Sequence, residues 1–220
     1  MNLQSAIDAV LVLVLLLDLA LLAAGRLATC IHLFAFQSLL VALLAPAAEL
    51  IHGTTPGLDA WAVAAATLGL KVALIPRILI RIIRTGEIHR EVEPLIGFTA
   101  SIVAGALLIA GSFGISGRLP LPTPPMSPLL VPVALSTLLT GLLIMVSRVK
   151  AVTQVVGYLV LENGIYLFGL MLLRRTPLLV ELGILLDVFV GVFIMAIVVC
   201  RIREEFDHMD THRLDEAEEA

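Results

Sequence analysis

Residues 155–168 read VVGYLVLENGIYLF and place Glu162 in the middle of an apolar run that is long enough to cross a lipid bilayer. An ionised carboxylate at that depth costs on the order of 3 kcal/mol even on lenient insertion scales. It therefore needs a buried partner, water or a proton. We predict a functional role for Glu162; the alternative is a structural carboxyl that is hydrogen-bonded to a neighbouring helix.

The rest of the chain is similarly apolar. Of its 220 residues, 60% are hydrophobic and only 15% are charged, and its mean hydropathy is +1.06. This composition leaves too little polar surface to cover a soluble globule. Its two cysteines, Cys30 and Cys200, form no CxxC pattern, and no His/Cys cluster has metal-ligand spacing. The chain alone therefore supplies neither an iron–sulfur cluster nor a nickel site.

Continuous runs of Leu, Val, Ile and Ala without alternation indicate helices and exclude a transmembrane barrel. The sequence predicts an all-α integral membrane protein with about seven transmembrane helices. The predicted spans are 4–25, 28–46, 59–80, 94–116, 129–147, 151–173 and 178–200. Because the N-terminus lacks the positive region of a cleaved secretory signal, we expect the first span to remain in the mature protein.

The proline-rich stretch 117–128, GRLPLPTPPMSP, is the clearest linker in the chain. It predicts a four-span N-terminal bundle over 1–116 and a three-span bundle over 129–200, with an acidic tail at 201–220. Eight of the eighteen acidic residues lie in that tail, so the formal net charge of −4 hides a basic membrane domain. The tail is interpreted as a solvated extension or, alternatively, as a docking segment.

The distribution of basic residues predicts the orientation of the chain in the membrane. The N-terminus is expected outside the membrane, and the C-terminus and acidic tail in the cytoplasm. The side predicted to be cytoplasmic carries Arg26, Arg81, Arg84, Arg90, Arg148, Lys150, Arg201, Arg203 and Arg213, whereas the other side carries Arg118, Arg174 and Arg175.

Two further charges, Asp187 and Lys71, lie near the centres of predicted spans. Glu162 and Asp187 each stand about ten residues from a membrane surface, so both reach the middle of the bilayer at 1.5 Å per residue. We predict that they form a coupled pair, with Lys71 contributing at longer range. A buried lysine deprotonates readily, and Pro76 should free a backbone carbonyl nearby. Their alternatives are helix packing for Asp187 and snorkelling for Lys71.

Other polar residues are weaker candidates for a supporting role. Tyr158 and Tyr166 lie four residues before and after Glu162, on the same helix face, although interfacial anchoring is the alternative. Asn163 points 100° away and is expected to bond another helix. Asp18 lies well inside the first span. His32 and Gln37 line one side of the second span only loosely, and His32 is more easily explained as interfacial than as a relay.

Three arginines, Arg77, Arg81 and Arg84, form a basic stripe at the end of the third span. The stripe is interpreted as a positive-inside anchor or lipid headgroup site, and alternatively as a contact for a cytoplasmic partner. None of the intramembrane charges has an obvious partner within its own helix. We therefore expect neighbouring subunits to complete their surroundings.

The last three spans resemble the small K subunit of respiratory complex I. The resemblance rests on the turn SRVK at 147–150, on the mid-membrane Glu162-Asn163, and on DVFVG at 187–191. That subunit carries a membrane-embedded glutamate in each of its last two helices, the second followed four residues later by glycine. Asp187 and Gly191 match the second pattern, with aspartate in place of glutamate.

The whole chain resembles hydrogenase-4 component E, through KVALIP at 71–76 and VLENG at 160–164. The resemblance implies a non-catalytic membrane-arm subunit of a complex I-like [NiFe] hydrogenase or formate hydrogenlyase, located in a prokaryotic cytoplasmic membrane. Such subunits contribute charges to an axis that couples electron transfer to movement of protons or sodium ions. Nickel–iron and iron–sulfur centres are then expected in partner subunits. Expected partners are other membrane and peripheral subunits, including antiporter-like ones, and lipid, but not nucleic acid.

Two other classes of function stay open. The chain could be a free-standing secondary transporter or a subunit of a multisubunit cation/proton antiporter. Inverted repeats with broken helices would favour a lone transporter, and the sequence shows no clear example. A passive assembly scaffold is the third hypothesis, and it would tolerate mutation of Glu162.

Overall fold

The computed structural model describes residues 3–51, 57–85, 95–119 and 127–172. Every regular element in these ranges is a helix. They are α1 (Leu3–Ala23), α2 (Leu27–Ile51), α3 (Leu58–Thr67), a π-helical segment (Leu68–Leu74), α4 (Ile75–Thr85), α5 (Phe98–Ser116), α6 (Leu130–Ser147) and α7 (Ala151–Leu172).

Five of these helices, α1, α2, α5, α6 and α7, are long and apolar enough to cross a membrane. They correspond to the first, second, fourth, fifth and sixth predicted spans. The all-helical fold, with several candidate membrane spans, is therefore confirmed for the described residues. The seventh span, 178–200, and the tail, 201–220, lie outside them, so the count of seven stays a prediction.

The third predicted span is helical but not regular. The chain passes from α3 through the π-helical segment into α4 without leaving the helical region, since Thr67, Leu68 and Ile75 all have right-handed helical φ and ψ. Pro76 explains the irregularity, because proline has no N–H and its ring collides with the carbonyl four residues earlier. The wider π turn just before Pro76 relieves that collision.

The helix ends follow local sequence. A short break at Ala24, Gly25 and Arg26 separates α1 from α2. Arg148 leaves the helical region, with φ −118° and ψ 137°, and so ends α6 three residues before α7 begins. This short connection makes α6 and α7 an antiparallel pair.

Helices from both sides of the proline-rich linker pack on one another. α1 contacts α2, α5 and α6, and α2 contacts α3 and α7. Asp8 of α1 also accepts a hydrogen bond from Ser127 Oγ at 2.5 Å, just before α6. The division into an N-terminal bundle and a C-terminal bundle stays a prediction, but the helices described on its two sides form a joint core.

Candidate functional site

Glu162 lies at the middle of α7, about 16 Å along the helix axis from Ala151 at 1.5 Å per residue. Its carboxylate Oε2 is 3.4 Å from the ammonium Nζ of Lys71. Both residues are buried: Glu162 is 4% exposed and Lys71 is 2% exposed. The carboxylate therefore finds a countercharge in its own chain. The prediction that Lys71 contributes only at longer range is wrong, and burial of Lys71 also excludes snorkelling.

The π-helical segment carries Lys71 and no other buried residue. A π turn widens the helix and changes the direction in which its side chains point, and such turns occur frequently at functional sites. The sequence cause is Pro76, two residues after the segment ends. The irregular helical turn thus occurs at Lys71, the residue whose side chain reaches α7.

Asn163 connects the ion pair to α2. Lys71 Nζ donates to Asn163 Oδ1 at 3.4 Å, and Asn163 Nδ2 donates to Ser38 Oγ at 3.0 Å and to Gln37 Oε1 at 3.4 Å. Asn163 is fully buried. Its bonds run to another helix, as expected from its position one residue beyond Glu162.

The same chain of hydrogen bonds continues to α1 and α6. Gln37 Nε2 donates to Asp18 Oδ1 at 2.8 Å, and Thr137 Oγ1 donates to Asp18 Oδ2 at 2.7 Å. Both oxygens of a fully buried carboxylate therefore accept a hydrogen bond. Asp18, Lys71 and Glu162 thus each meet a side chain from another helix of the same chain. The contribution of neighbouring subunits to their surroundings stays a prediction.

The buried polar side chains that take part in these contacts form one group, which we call the polar layer. Its members come from α1, α2, the π-helical segment, α6 and α7, and they are Asp18, Gln37, Ser38, Lys71, Thr137, Glu162 and Asn163.

Two apolar clusters lie on either side of the polar layer along the helices. The turn-side cluster, near the α6–α7 turn, is built on Leu22, Ile31, Ile144 and Leu159. The linker-side cluster is built on Leu11, Val41, Val133 and Leu167. In α1, α2, α6 and α7 alike, the polar residues stand between the residues of these two clusters. The polar layer therefore extends across the bundle rather than along it.

Three glycines bring α6 and α7 close together beside this layer. A Cβ at Gly164 would lie 2.5 Å from Leu138 N and 2.9 Å from Ala134 O, and a Cβ at Gly157 would lie 2.9 Å from Met145 N. At Gly141 the backbone of Leu161 would be in the way. Small residues allow this approach of two membrane helices. It fixes the position of Glu162 and Asn163 against the bundle.

The other predicted residues are not members of the polar layer as defined, or lie outside the described residues. His32 is on the exposed side of α2, where its Nδ1 donates to Ala28 O at 2.6 Å. Tyr158 packs against the turn-side cluster, and Tyr166 packs against the linker-side cluster. Asp187 lies outside the described residues, so its pairing with Glu162 stays a prediction.

Arg148 is a buried cation at the α6–α7 turn rather than an exposed anchor. Only 1% of it is exposed, and its Nη2 donates to Leu22 O at 2.7 Å, near the end of α1. Its guanidinium also lies 5.1 Å from the centre of the Phe98 ring. Burial lowers the pKa of Arg148 from its ordinary value, although arginine keeps its proton. It thus satisfies a carbonyl that the last turn of a helix leaves without a partner.

The basic stripe of α4 faces outward. Arg77, Arg81 and Arg84 are exposed, whereas Ile75, Leu79 and Ile83 are buried in the turn-side cluster. The segment is therefore strongly amphipathic. Whether this stripe binds a lipid headgroup or a partner subunit stays a prediction.

Sequence reasoning missed Thr137 and Ser38 and gave little weight to Gln37. One signal was available, because Gln37-Ser38 and Ser136-Thr137 interrupt otherwise apolar spans. Such residues in membrane helices commonly bond to a neighbouring helix. Which neighbour they meet depends on the packing of five segments. Within the described ranges, no group of three or more His, Cys, Asp or Glu side chains forms a metal site.

The fold and this site define a multi-pass membrane protein with a buried ion pair inside a polar layer. The chain is 31% identical over 146 residues to hydrogenase-4 component E of Escherichia coli K12, a match that covers 66% of this chain and 67% of that protein. It is 33% identical over 156 residues to an uncharacterized protein of Mycobacterium tuberculosis, covering 70% and 71% of the two chains.

The chain belongs to the hydrogenase-4 component E family. The resemblance to that family is thereby confirmed, whereas the resemblance of the last three spans to the complex I K subunit stays a prediction. No protein-family model matches the chain, and no solved structure gives a significant match.

Proposed function

We propose that this chain is a membrane subunit of a complex I-like [NiFe] hydrogenase complex, and that Lys71 and Glu162 belong to its ion-translocation path. The observation that carries the proposal is the ion pair between Lys71 and Glu162 at the centre of the bundle. The name of the Escherichia coli relative supports the hydrogenase assignment. Electron transfer would take place in partner subunits that hold the nickel–iron and iron–sulfur centres, and this chain would have no redox role.

The pair has the properties that a switchable proton or cation site requires. Lys71 Nζ is 3.4 Å from Glu162 Oε2 and 3.4 Å from Asn163 Oδ1, so the ammonium group has two acceptors within reach. Protonation of Glu162 would remove most of its attraction for Lys71, while the amide oxygen of Asn163 would still accept from the ammonium. Loss of that proton would restore the pair.

The shape of the polar layer supports transfer across the bundle. Apolar clusters lie on both sides of it along the helices. A charge that moves within the layer would therefore travel between the helices, roughly parallel to the membrane plane, toward neighbouring subunits. Asp187 in the seventh predicted span is proposed as a further member, together with supporting roles for Tyr158 and Tyr166. The proposed orientation has the C-terminus in the cytoplasm.

Replacement of Glu162 with Gln in the complete assembly tests the proposal. Glutamine keeps the size and the hydrogen-bonding capacity of the side chain but cannot take up a proton or balance Lys71. We expect hydrogenase turnover with an artificial electron donor to persist, while proton movement coupled to turnover in inside-out membrane vesicles falls sharply. Sodium dependence of the residual movement would distinguish the transported ion.

Glu49→Gln is the matched control, since it neutralises a carboxylate near the end of α2, outside the polar layer. It should leave both activities unchanged. Unchanged coupling in Glu162→Gln would contradict the proposal and favour the passive scaffold. A purified assembly that lacks a nickel–iron hydrogenase subunit, but exchanges cations for protons, would instead favour a multisubunit antiporter.

A further inference from the structure

Asp18 is the carboxylate of the polar layer that the proposed step does not use. It is fully buried in α1 and separated from Lys71 by two side-chain amides, those of Gln37 and Asn163. Its oxygens accept from Gln37 Nε2 at 2.8 Å and from Thr137 Oγ1 at 2.7 Å. Acceptance at both oxygens is the hydrogen-bonding pattern of an ionised carboxylate, whereas a protonated carboxyl would donate from one of them.

The charges at the two ends fix the orientation of the amides between them. Lys71 has no acceptor, so it must face the oxygen of Asn163, and an ionised Asp18 has no donor, so it must face the nitrogen of Gln37. Asn163 Nδ2 is then left to donate to Gln37 Oε1, at 3.4 Å. Every hydrogen bond from Lys71 to Asp18 therefore points in one direction, from the cation to the anion.

We propose that Asp18 is a positioning residue that holds the Lys71 ammonium group in place through these two aligned amides. When Glu162 takes up a proton, Asp18 keeps Asn163 Oδ1 turned toward Lys71 and so retains the ammonium in the layer. Neutral amides have no titratable proton to pass on. Asp18 therefore acts by its charge and lies off the route of the proton.

A proton on Oδ1 of Asp18, the oxygen that faces Gln37, would have the opposite effect. If its hydroxyl donated to the amide of Gln37, that amide would have to reverse and present its nitrogen to Asn163. Asn163 would then turn its own NH₂ group toward the Lys71 ammonium, where two donors face each other without an acceptor. A proton at that oxygen of Asp18 would thus change the hydrogen bonding of Lys71 through both amides.

D18N separates the charge from the hydrogen bonds. The new amide oxygen can accept from Gln37, and the new nitrogen can donate to the Thr137 hydroxyl, which rotates to accept. The side chain keeps its size and its bonds but loses its charge. This inference rests on the proposed function for its transport readout, and we expect D18N to lower coupled proton movement by about tenfold at unchanged assembly.

The double variant D18N/Q37E tests whether the charge is what matters. It moves the carboxylate one residue along the same chain, where it still accepts from Asn163. Coupled proton movement should recover most of the loss. Ser136→Ala is the matched control, because it removes a neighbouring buried hydroxyl that donates only to Val133 O in its own helix. It should leave coupling unchanged.

Infrared spectroscopy of the purified assembly gives a readout that does not depend on transport. The difference between wild type and D18N should show the loss of an ionised carboxylate. Loss of a protonated carboxyl band would overturn the inference, as would a double variant that transports no better than D18N. Should D18N fail to assemble, Gln37→Met breaks the chain while Asp18 stays, and wild-type coupling in that variant would equally overturn it.

The two proposals fail in different ways. If Glu162→Gln abolishes coupled proton movement but D18N has no effect on it, only the role of Asp18 is wrong. If both variants transport like wild type, the ion-translocation function itself is wrong.

Discussion

The polar layer and the two apolar clusters that enclose it are held together for different reasons. Lipid tails are as apolar as leucine, so a cluster residue gains packing, and little transfer free energy, when it leaves lipid for the bundle. A buried carboxylate, amide or ammonium group has no acceptable place in lipid unless another side chain binds it. The polar layer therefore restricts which helices meet, and at what height, more strongly than the clusters do.

The register of α7 illustrates the difference. A rotation by one residue turns a helix by about 100°, since it has 3.6 residues per turn. In the turn-side cluster such a rotation would exchange one aliphatic side chain, such as Leu159, for another, such as Val160. In the polar layer it would separate Glu162 from Lys71 and Asn163 from Ser38. The polar contacts thus select a single arrangement from several that are similarly well packed.

Breaking the ion pair from one side should have the largest effect. Lys71→Met leaves Glu162 without this countercharge, and removing one partner of a buried pair typically costs about 3–5 kcal/mol. We expect a much lower yield of folded chain and a lower thermal midpoint in detergent.

The double variant Lys71→Met/Glu162→Met sharpens this test. Replacing both charges with apolar side chains should recover most of the lost stability, while coupled ion movement stays absent. If the single and double variants were equally unstable, the fold would require the polar pair itself and not merely the absence of an unpaired charge. Recovery of transport in the double variant would rule out a role for the pair in translocation.

Forcing α6 and α7 apart should have the next largest effect, because it displaces the polar layer as a whole. Gly164→Ala puts a methyl group against the backbone of Leu138 and Ala134, and overpacking of this kind costs about 3 kcal/mol where backbone must move. Gly169→Ala in the same helix has nothing within 4 Å of the new Cβ and is the control. Similar thermal midpoints for the two variants would contradict the close approach of the helices.

A cavity in the turn-side cluster should have the smallest effect on function. Leu159 is fully buried there, and Leu159→Ala should lower stability by about 2 kcal/mol, at the lower end for such changes because only packing is lost. Coupled ion movement per assembled complex should match wild type. A loss of coupling as severe as that of Glu162→Gln would mean that the clusters and the layer are not functionally distinct.

Particular residues show how far sequence reasoning reached. Glu162, Lys71 and Asp18 were each recognisable because a charge inside an apolar span is costly wherever it meets lipid. The sequence did not reveal that Lys71 and Glu162, 91 positions apart, touch each other. Thr137 carried no signal beyond a hydroxyl in an apolar helix, since its importance comes from Asp18, which lies 119 positions away.

The sequence by itself determined that the chain is a helical membrane protein, where most of its helices lie, and which charges must find partners. Hydropathy fixes these features because the bilayer is a solvent that accepts few structures and few charges. Only the tertiary structure decided which partners those charges have. Partner choice depends on the crossing and rotation of five segments, on the π turn before Pro76, and on the glycines that let α6 meet α7. These are contacts between segments far apart in the chain, and no local pattern encodes them.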